Sequence, residues 1–339
     1  MNKDILKYIR KTLFLTLPFI CFVGLYIYID PFLVIKHYDN YYLSRNGNYS
    51  LNHGFISTQN LANHYPDYQW DSYIFGNSRS RNWKISDWKQ YLEPGCKGYH
   101  FDAHSETLLG IAKKIEYLDS KDINIKNALI IVDRSLLGVI KSSKEHAYMI
   151  APQLVDNSNF WSFHFENFYA FANYKFLNRY VSYQPIPKDQ LTLEDIVSGE
   201  CGDYDYSTNE ISQNYAEEWI EQGKYYTEEL YHRQFEGLQN PGFIPYVCIK
   251  EPQERLLNEI NGFFKKHNTN CRVVISPLYD QSTLSAKDIE TLKRIFGEDK
   301  VFDFSGVNDF TSDYHNYYER SHYRPHVAAQ MLEEIYDKR

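Results

Sequence analysis

The chain has 339 residues, a formal net charge of −8 and a pI near 5.9, with 24% charged and 43% hydrophobic residues. Length allows one large domain or two modest ones. The acidic balance argues against a general nucleic-acid binder, which is usually basic, but leaves neutral sugars open as ligands. Thirty-one Tyr and 21 Phe are mostly expected to fill core and half-buried surface.

The first element read is Thr12–Ile29, an uncharged run of 18 residues preceded by Lys3, Lys7, Arg10 and Lys11 and ended by Asp30-Pro31. This is the lower end of what spans a bilayer as a helix, and Pro18 is tolerated in such a helix. No small-x-small cleavage pattern follows, so the run reads as an uncleaved signal anchor. The basic flank places residues 1–11 in the cytoplasm and everything after Asp30 outside it. Beyond Cys21, four cysteines (Cys96, Cys201, Cys248, Cys271) would face an oxidising compartment, where one or two disulfides are expected.

Residues 30–70, rich in Tyr, Asn and His, read as an irregular stalk or edge segment. From 71 to 339 strand and helix alternate. Tyr73–Phe75 is a short strand. Ser86 caps a helix to about Leu92, and Gly98–Phe101 is a second strand. Ser105 caps a helix to Leu118, with Leu108, Ile111, Ala112, Ile115 and Leu118 on one face. Ala128–Val132 is a fully apolar strand, as in a parallel sheet covered on both sides. Residues 140–250, with a dense aromatic run at 160–171 and an acidic stretch at Glu194–Glu221, read as a mostly helical insertion whose aromatics pack inward. The alternation resumes with a helix at Gln253–His267 and a strand at Arg272–Ile275. A helix at Ser285–Phe296 follows, opened by Ser285 with Asp288 three residues on. Val301–Phe304 is a last strand, and Pro325 suits the first turn of a final helix.

Five strands interleaved with helices predict an α/β, doubly wound, mostly parallel sheet, in which ligands bind at the carboxyl ends of the strands. Ser78, in Gly76-Asn77-Ser78-Arg79, follows the first strand. Asp102 and His104 follow the second, Asp133-Arg134 the third and Ser276-Pro277 the fourth. Glu319 and His322 follow the fifth, so the polar candidates share one edge. A serine hydroxyl needs a neighbouring base to become a nucleophile. Ser78 as nucleophile, His322 as base and Glu319 as the group orienting the base fit that chemistry, although Ser78 and His322 lie about 240 residues apart. Asn77, Arg79, Asp102, His104 and Arg134 are the further oxyanion or substrate candidates. His100/His104 and His322/His326 are four apart, the spacing of metal ligands. A metal-dependent hydrolase using His322, His326 and Asp313 is therefore a third reading, but no metal or other cofactor is called for.

On Gly76-Asn77-Ser78, Glu319-Arg320-Ser321-His322 and His322-Tyr323-Arg324-Pro325, the chain resembles the SGNH (GDSL-like) hydrolase superfamily. The likeness is greatest to its membrane-anchored extracytoplasmic bacterial members, among them polysaccharide O-acetyltransferases and the teichoic-acid D-alanylation protein. The resemblance covers roughly 70–140 and 250–339. It implies a three-layer α/β/α fold of flavodoxin-like type and an acyl-ester enzyme acting on a cell-surface polysaccharide or glycan. A membrane acyl-donor protein would be an implied partner. The chain departs from the family pattern in having Glu319 for the usual Asp. The second-block glycine and third-block asparagine that donate to the oxyanion also have no counterpart, with His100–Ser105 and Asp133-Arg134 at those strand ends. A catalytically degenerate glycan-binding or assembly partner is the alternative. An open, wet groove would favour hydrolysis, and a dry aromatic one transfer.

Overall fold

The computed structural model describes residues 3–42, 51–182, 192–193 and 203–337. Five parallel strands, β1 (Ser72–Phe75), β2 (Gly98–His100), β3 (Asn127–Val132), β6 (Asn270–Ile275) and β7 (Val301–Asp303), form one sheet in the order β2-β1-β3-β6-β7. β1 and β3 are buried along their whole length. Side chains alternate between two cores. Tyr73, Phe75, Ile130, Val132, Val273 and Ile275 join one cluster with the helices Leu108–Ser120 and Glu251–His267. Ile74, Leu129, Ile131 and Val274 join the other with Trp83, Trp88 and the helix Pro325–Asp337. Covering both faces explains why these strands read as apolar runs and not as alternating ones.

Two predicted caps hold: Ser285 Oγ accepts from Asp288 N (3.2 Å), and Pro325 opens the last helix. Two others move. The helix after β2 starts at Leu108 under a Thr107 cap (Gly110 N to Thr107 Oγ1, 3.0 Å), not at Ser105. The one before β2 is a single turn, Ile85–Lys89, and Ser86 is exposed.

Residues 30–70 are not merely an irregular stalk. His53–Tyr68 is a helix capped by Asn52 (Phe55 N to Oδ1, 2.8 Å), and it buries Phe55, Ile56 and Leu61 in the main core. Its buried face is interleaved with His53, Ser57, Thr58 and Asn60, which hides the apolar period. The 140–250 segment holds the helices Phe160–Phe171, Tyr174–Val181, Asn214–Glu221 and Glu228–Gln234. It also holds an antiparallel hairpin of β4 (Asp203–Asp205) and β5 (Glu210–Ser212) that was not anticipated. Cys96, Cys248 and Cys271 are buried free thiols, so no disulfide joins them. Burial holds the thiols of Cys248 and Cys271 above their ordinary pKa. Cys201 and the start of the acidic stretch lie outside the described residues. The N-terminal helix Lys3–Ile29 contains a segment, Arg10–Ile29, long and apolar enough to cross a membrane, as a spanning helix or a signal sequence would be.

The turn after β1 is tight. A Cβ on Gly76 would meet Ser80 Cβ at 2.8 Å and the Ile131 carbonyl oxygen at 3.0 Å. Gly76→Ala is therefore expected to lower the unfolding free energy by about 1–3 kcal/mol, read as a lower urea midpoint at unchanged slope. An unchanged midpoint would mean that the turn relaxes without cost.

Candidate active site

β1 ends at Phe75, and the chain turns into a short 3₁₀ segment, Ser78–Asn82, capped by Asn77, whose Oδ1 accepts from Arg79 N (3.0 Å). Ser78 is the first residue of that turn, so its N–H has no partner within it. On the other side a two-strand hairpin, β8 (Tyr317–Glu319) and β9 (His322–Tyr323), leads into the last helix. Two bonds stitch these segments together: Asn82 Nδ2 donates to the Tyr323 carbonyl (2.5 Å), and Trp83 Nε1 donates to the Tyr323 hydroxyl (2.6 Å).

The stitch brings Ser78 and His322 together. Ser78 Oγ lies 2.8 Å from His322 Nε2, and His322 Nδ1 is hydrogen-bonded to Glu319 Oε1. The second Glu319 oxygen accepts from Ser321 N (3.0 Å). Burial opposes charge on Glu319, but the His322 contact, the Ser321 N–H and Arg79 outweigh it and hold the carboxyl below its ordinary range. An ionised Glu319 accepts from Nδ1–H, which leaves the Nε2 lone pair facing the Ser78 hydroxyl, the tautomer a general base requires.

Asp133, the cap of the turn after β3, organises the floor. Its Oδ2 accepts from Asn77 Nδ2 (2.6 Å) and Arg79 Nη1 (2.7 Å). Its Oδ1 accepts from Ser135 N (2.7 Å), Leu136 N (3.0 Å) and the Ser135 hydroxyl. Burial penalises its charge, but Arg79 and these donors more than compensate, so its pKa is lowered. The third-strand position thus supplies an acceptor and not an oxyanion donor. Arg79 Nε is buried without a partner among the described residues, and Arg79 lines the cleft.

Asp102 and His104 are placed behind the cleft. Asp102 Oδ1 meets His53 Nε2 at 3.1 Å and His100 Nδ1 at 3.7 Å, and His53 Nδ1 meets the Tyr42 hydroxyl at 2.5 Å. Burial works against the Asp102 charge, yet the two histidines hold its carboxyl well below the usual carboxylate range. Burial and the neighbouring Arg81 and His53 push His104 well below an ordinary imidazole. His104 is thus neutral and accepts from Arg81 Nη2 (2.5 Å). Arg134 is not at the site: its guanidinium lies over Phe243 (4.5 Å) and Tyr246 (4.8 Å). The residues of the metal reading are not brought together. Asp313 bonds His315 Nδ1 (2.8 Å), His326 meets Asn316 Oδ1 (3.0 Å), and no group of three metal-ligating side chains exists among the described residues.

The open space beside Ser78 is a cleft of about 600 Å³. Sequence reading missed most of its wall: Ser105, Glu106, Thr107, Ser135, Lys141, Ser142, Ser143 and Tyr148 line it with Asn77, Arg79 and Ser321. It missed as well the brace behind the hairpin, where Arg324 Nη2 donates to Glu217 Oε2 (2.6 Å) and Tyr318 OH to Glu217 Oε1 (2.6 Å). Neither set carries a local motif, since loop serines and a single helical glutamate look like surface. No protein-family model matches this chain, and no curated protein matches it.

Asp133 has a depressed folded-state pKa, so its contribution to stability is present above the unfolded carboxylate value near 3.9 and is lost as pH falls through the folded one. Asp133→Asn should cost about 2–3 kcal/mol at pH 7, below the fully buried range because Arg79 is partly exposed. The difference from wild type should begin to shrink below about pH 4, where the unfolded chain takes up the proton, and disappear only below the depressed folded-state pKa. Urea unfolding at pH 7 and pH 3 measures both. An equal deficit at the two pH values would show that the carboxylate charge is not what stabilises the site.

Proposed function

We propose that this chain is a membrane-anchored serine acyl-ester enzyme of the SGNH type, with its α/β domain outside the cytoplasm and a cell-surface polysaccharide or glycan as its substrate. The observation that carries the reading is the line Ser78 Oγ–His322 Nε2, His322 Nδ1–Glu319. Also in its favour are the sheet order, which is that of a flavodoxin-like doubly wound fold, helices on both faces, and the site's place at the carboxyl ends of the strands. Lys3, Lys7, Arg10 and Lys11, before the uncharged run Thr12–Ile29, favour an extracytoplasmic domain.

In this reading Ser78 Oγ attacks the ester carbonyl carbon as its proton passes to His322 Nε2. The carbonyl oxygen gains the charge, which the Ser78 N–H and the positive charge of Arg79 at the cleft stabilise. The C–O bond to the leaving alcohol breaks, and that oxygen takes the proton from Nε2. The acyl group is now on Ser78. Water or a sugar hydroxyl then gives its proton to Nε2 and attacks the acyl carbon, and Ser78 leaves with that proton. Glu319 stays ionised throughout and stabilises the imidazolium.

The acceptor decides hydrolysis or transfer. The cleft wall is dominated by Ser, Thr and Lys side chains, with Tyr148 its one aromatic among the described lining residues, and such a wet groove favours hydrolysis. A polyhydroxylated ligand also suits it, and a membrane acyl-donor protein is the partner a transferase would need. A second reading, a degenerate glycan-binding or assembly partner, is favoured by one observation: Asp133, an acceptor, stands where the family places an oxyanion donor.

The test is ester turnover by the full chain in detergent or nanodiscs, using a small acetyl ester and an O-acetylated glycan. Ser78→Ala should reduce turnover to background, and His322→Ala should reduce kcat/KM by about 10²–10⁴-fold, the usual worth of a positioned base. Full activity in Ser78→Ala would sink the enzyme reading.

A further inference from the structure

The helix Phe160–Phe171 was expected to pack its aromatics inward, and only one side does. Phe163, Asn167 and Phe171 are buried at four-residue spacing. Trp161, Phe165 and Tyr169, at the same spacing on another stripe, are exposed at 83%, 62% and 65%. The next helix, Tyr174–Val181, turns Tyr174 and Val181 outward at 74% and 81% and also exposes Lys175 and Arg179. Soluble proteins rarely leave so much contiguous apolar surface to water.

The position of this surface identifies its occupant. Phe168 packs against Phe19 (6.2 Å), Phe22 (5.9 Å) and Tyr26 (5.4 Å) of the N-terminal helix, and Phe171 stacks on Phe22 (5.1 Å). Phe19 lies ten residues before Ile29, about 15 Å along the helix axis, so the aromatic helix runs beside the apolar segment itself. The joint between anchor and domain is held: Asp30 accepts from Val34 N (2.9 Å) and Lys36 N (2.8 Å), and Lys36 Nζ donates to the Tyr28 carbonyl (2.6 Å). A bilayer that holds Arg10–Ile29 must therefore reach the exposed stripe as well.

We propose that the two helices 160–181 form a lipid-interface surface. Trp161, Phe165, Tyr169 and Tyr174 lie at the acyl–headgroup boundary, and Lys175 and Arg179 lie toward anionic headgroups. Trp and Tyr favour that boundary because their rings are apolar and their tips polar. A basic-flanked amphipathic face is how a monotopic helix binds lipid. Glu166, half-buried beside the stripe, is the one acidic residue within 160–181 and sets the boundary of the apolar face. The surface would fix the height and tilt of the Ser78 cleft over the membrane. This inference rests on the membrane-anchor part of the proposed function and not on its chemistry.

The full chain reconstituted into phosphatidylcholine–phosphatidylglycerol vesicles tests it. Trp70, Trp83 and Trp88 are buried, Trp219 is half-buried and Trp161 is exposed, so in a Trp219→Phe background fluorescence quenching by lipids brominated on the upper acyl chain reports chiefly on Trp161. Clear quenching is expected, with the quenchable fraction falling several-fold in Trp161→Phe and aqueous iodide quenching little. A chain that floats with the vesicles but shows Trp161 quenched by iodide and not by bromolipid overturns the lipid surface alone. So does a Trp161 shielded from both quenchers, as it would be against a protein partner. A chain that does not float overturns the anchor, and the lipid surface with it. Ester turnover is read separately, so loss of chemistry and loss of lipid contact are distinguishable.

Discussion

The seam between residues 78–83 and the hairpin Tyr317–Tyr323 holds this architecture together at its functional edge. Asn82 and Trp83 each donate to Tyr323, and Tyr323 is fully buried. A buried indole N–H or amide left unpaired costs about 1–3 kcal/mol, so the seam has little freedom to slide. Ser78 starts one segment and His322 immediately precedes Tyr323 on the other. The donor–acceptor distance between the hydroxyl and the imidazole is thus set by packing several residues away, on the first strand, the last helix and the Trp residues between them. Tyr225 OH on the Tyr318 carbonyl (2.8 Å) and the Glu217–Arg324 pair press on the hairpin from the outside. Part of the insertion therefore supports the hairpin that carries His322.

Two buried charge networks lie on either side of the Ser78 turn, and their chemistry differs. The Asp133 network is compact, with both carboxylate oxygens paired, and it ties Asn77 and Arg79 down beside Ser78. The Asp102 network reaches through His53 to Tyr42 and through His100 to the Trp83 carbonyl (2.6 Å), linking the early helix 53–68 to the second strand end. Lys114, buried on the next helix, adds bonds to the Asp102 carbonyl (2.8 Å) and Glu106 Oε2 (2.6 Å). Together these fix the 102–107 loop that forms one wall of the cleft. Such networks are worth more to a unique geometry than to net stability.

Much of the sheet was legible in the residues because parallel strands buried on both faces are short apolar runs, as Ala128–Val132 shows. Ser78 and His322 were legible because each sits at the junction of such a run with a polar turn. What stayed hidden had a common physical cause: polar side chains buried by long-range pairing carry no local signal. His53, Lys114 and Glu106 are of this kind, and half-buried Glu217 is hidden in the same way. So is the helix 53–68, whose buried face mixes Ser, Thr, Asn and His with three large apolar residues. Arg134 was misplaced because a residue at a strand's end need not point into the crevice; here it turns away to stack on Phe243 and Tyr246. The aromatic run at 160–171 looked like core because composition cannot say which side of a helix faces outward.

The central claim is that the Ser78 hydroxyl is made nucleophilic by His322. The most direct measurement is covalent labelling of the intact full chain by a fluorophosphonate, with the modified peptide mapped by mass spectrometry and the labelling rate measured. A single adduct on Ser78 is expected, with near-complete loss of labelling in His322→Ala. An unlabelled Ser78 in folded protein, or labelling at the same rate without His322, would contradict it.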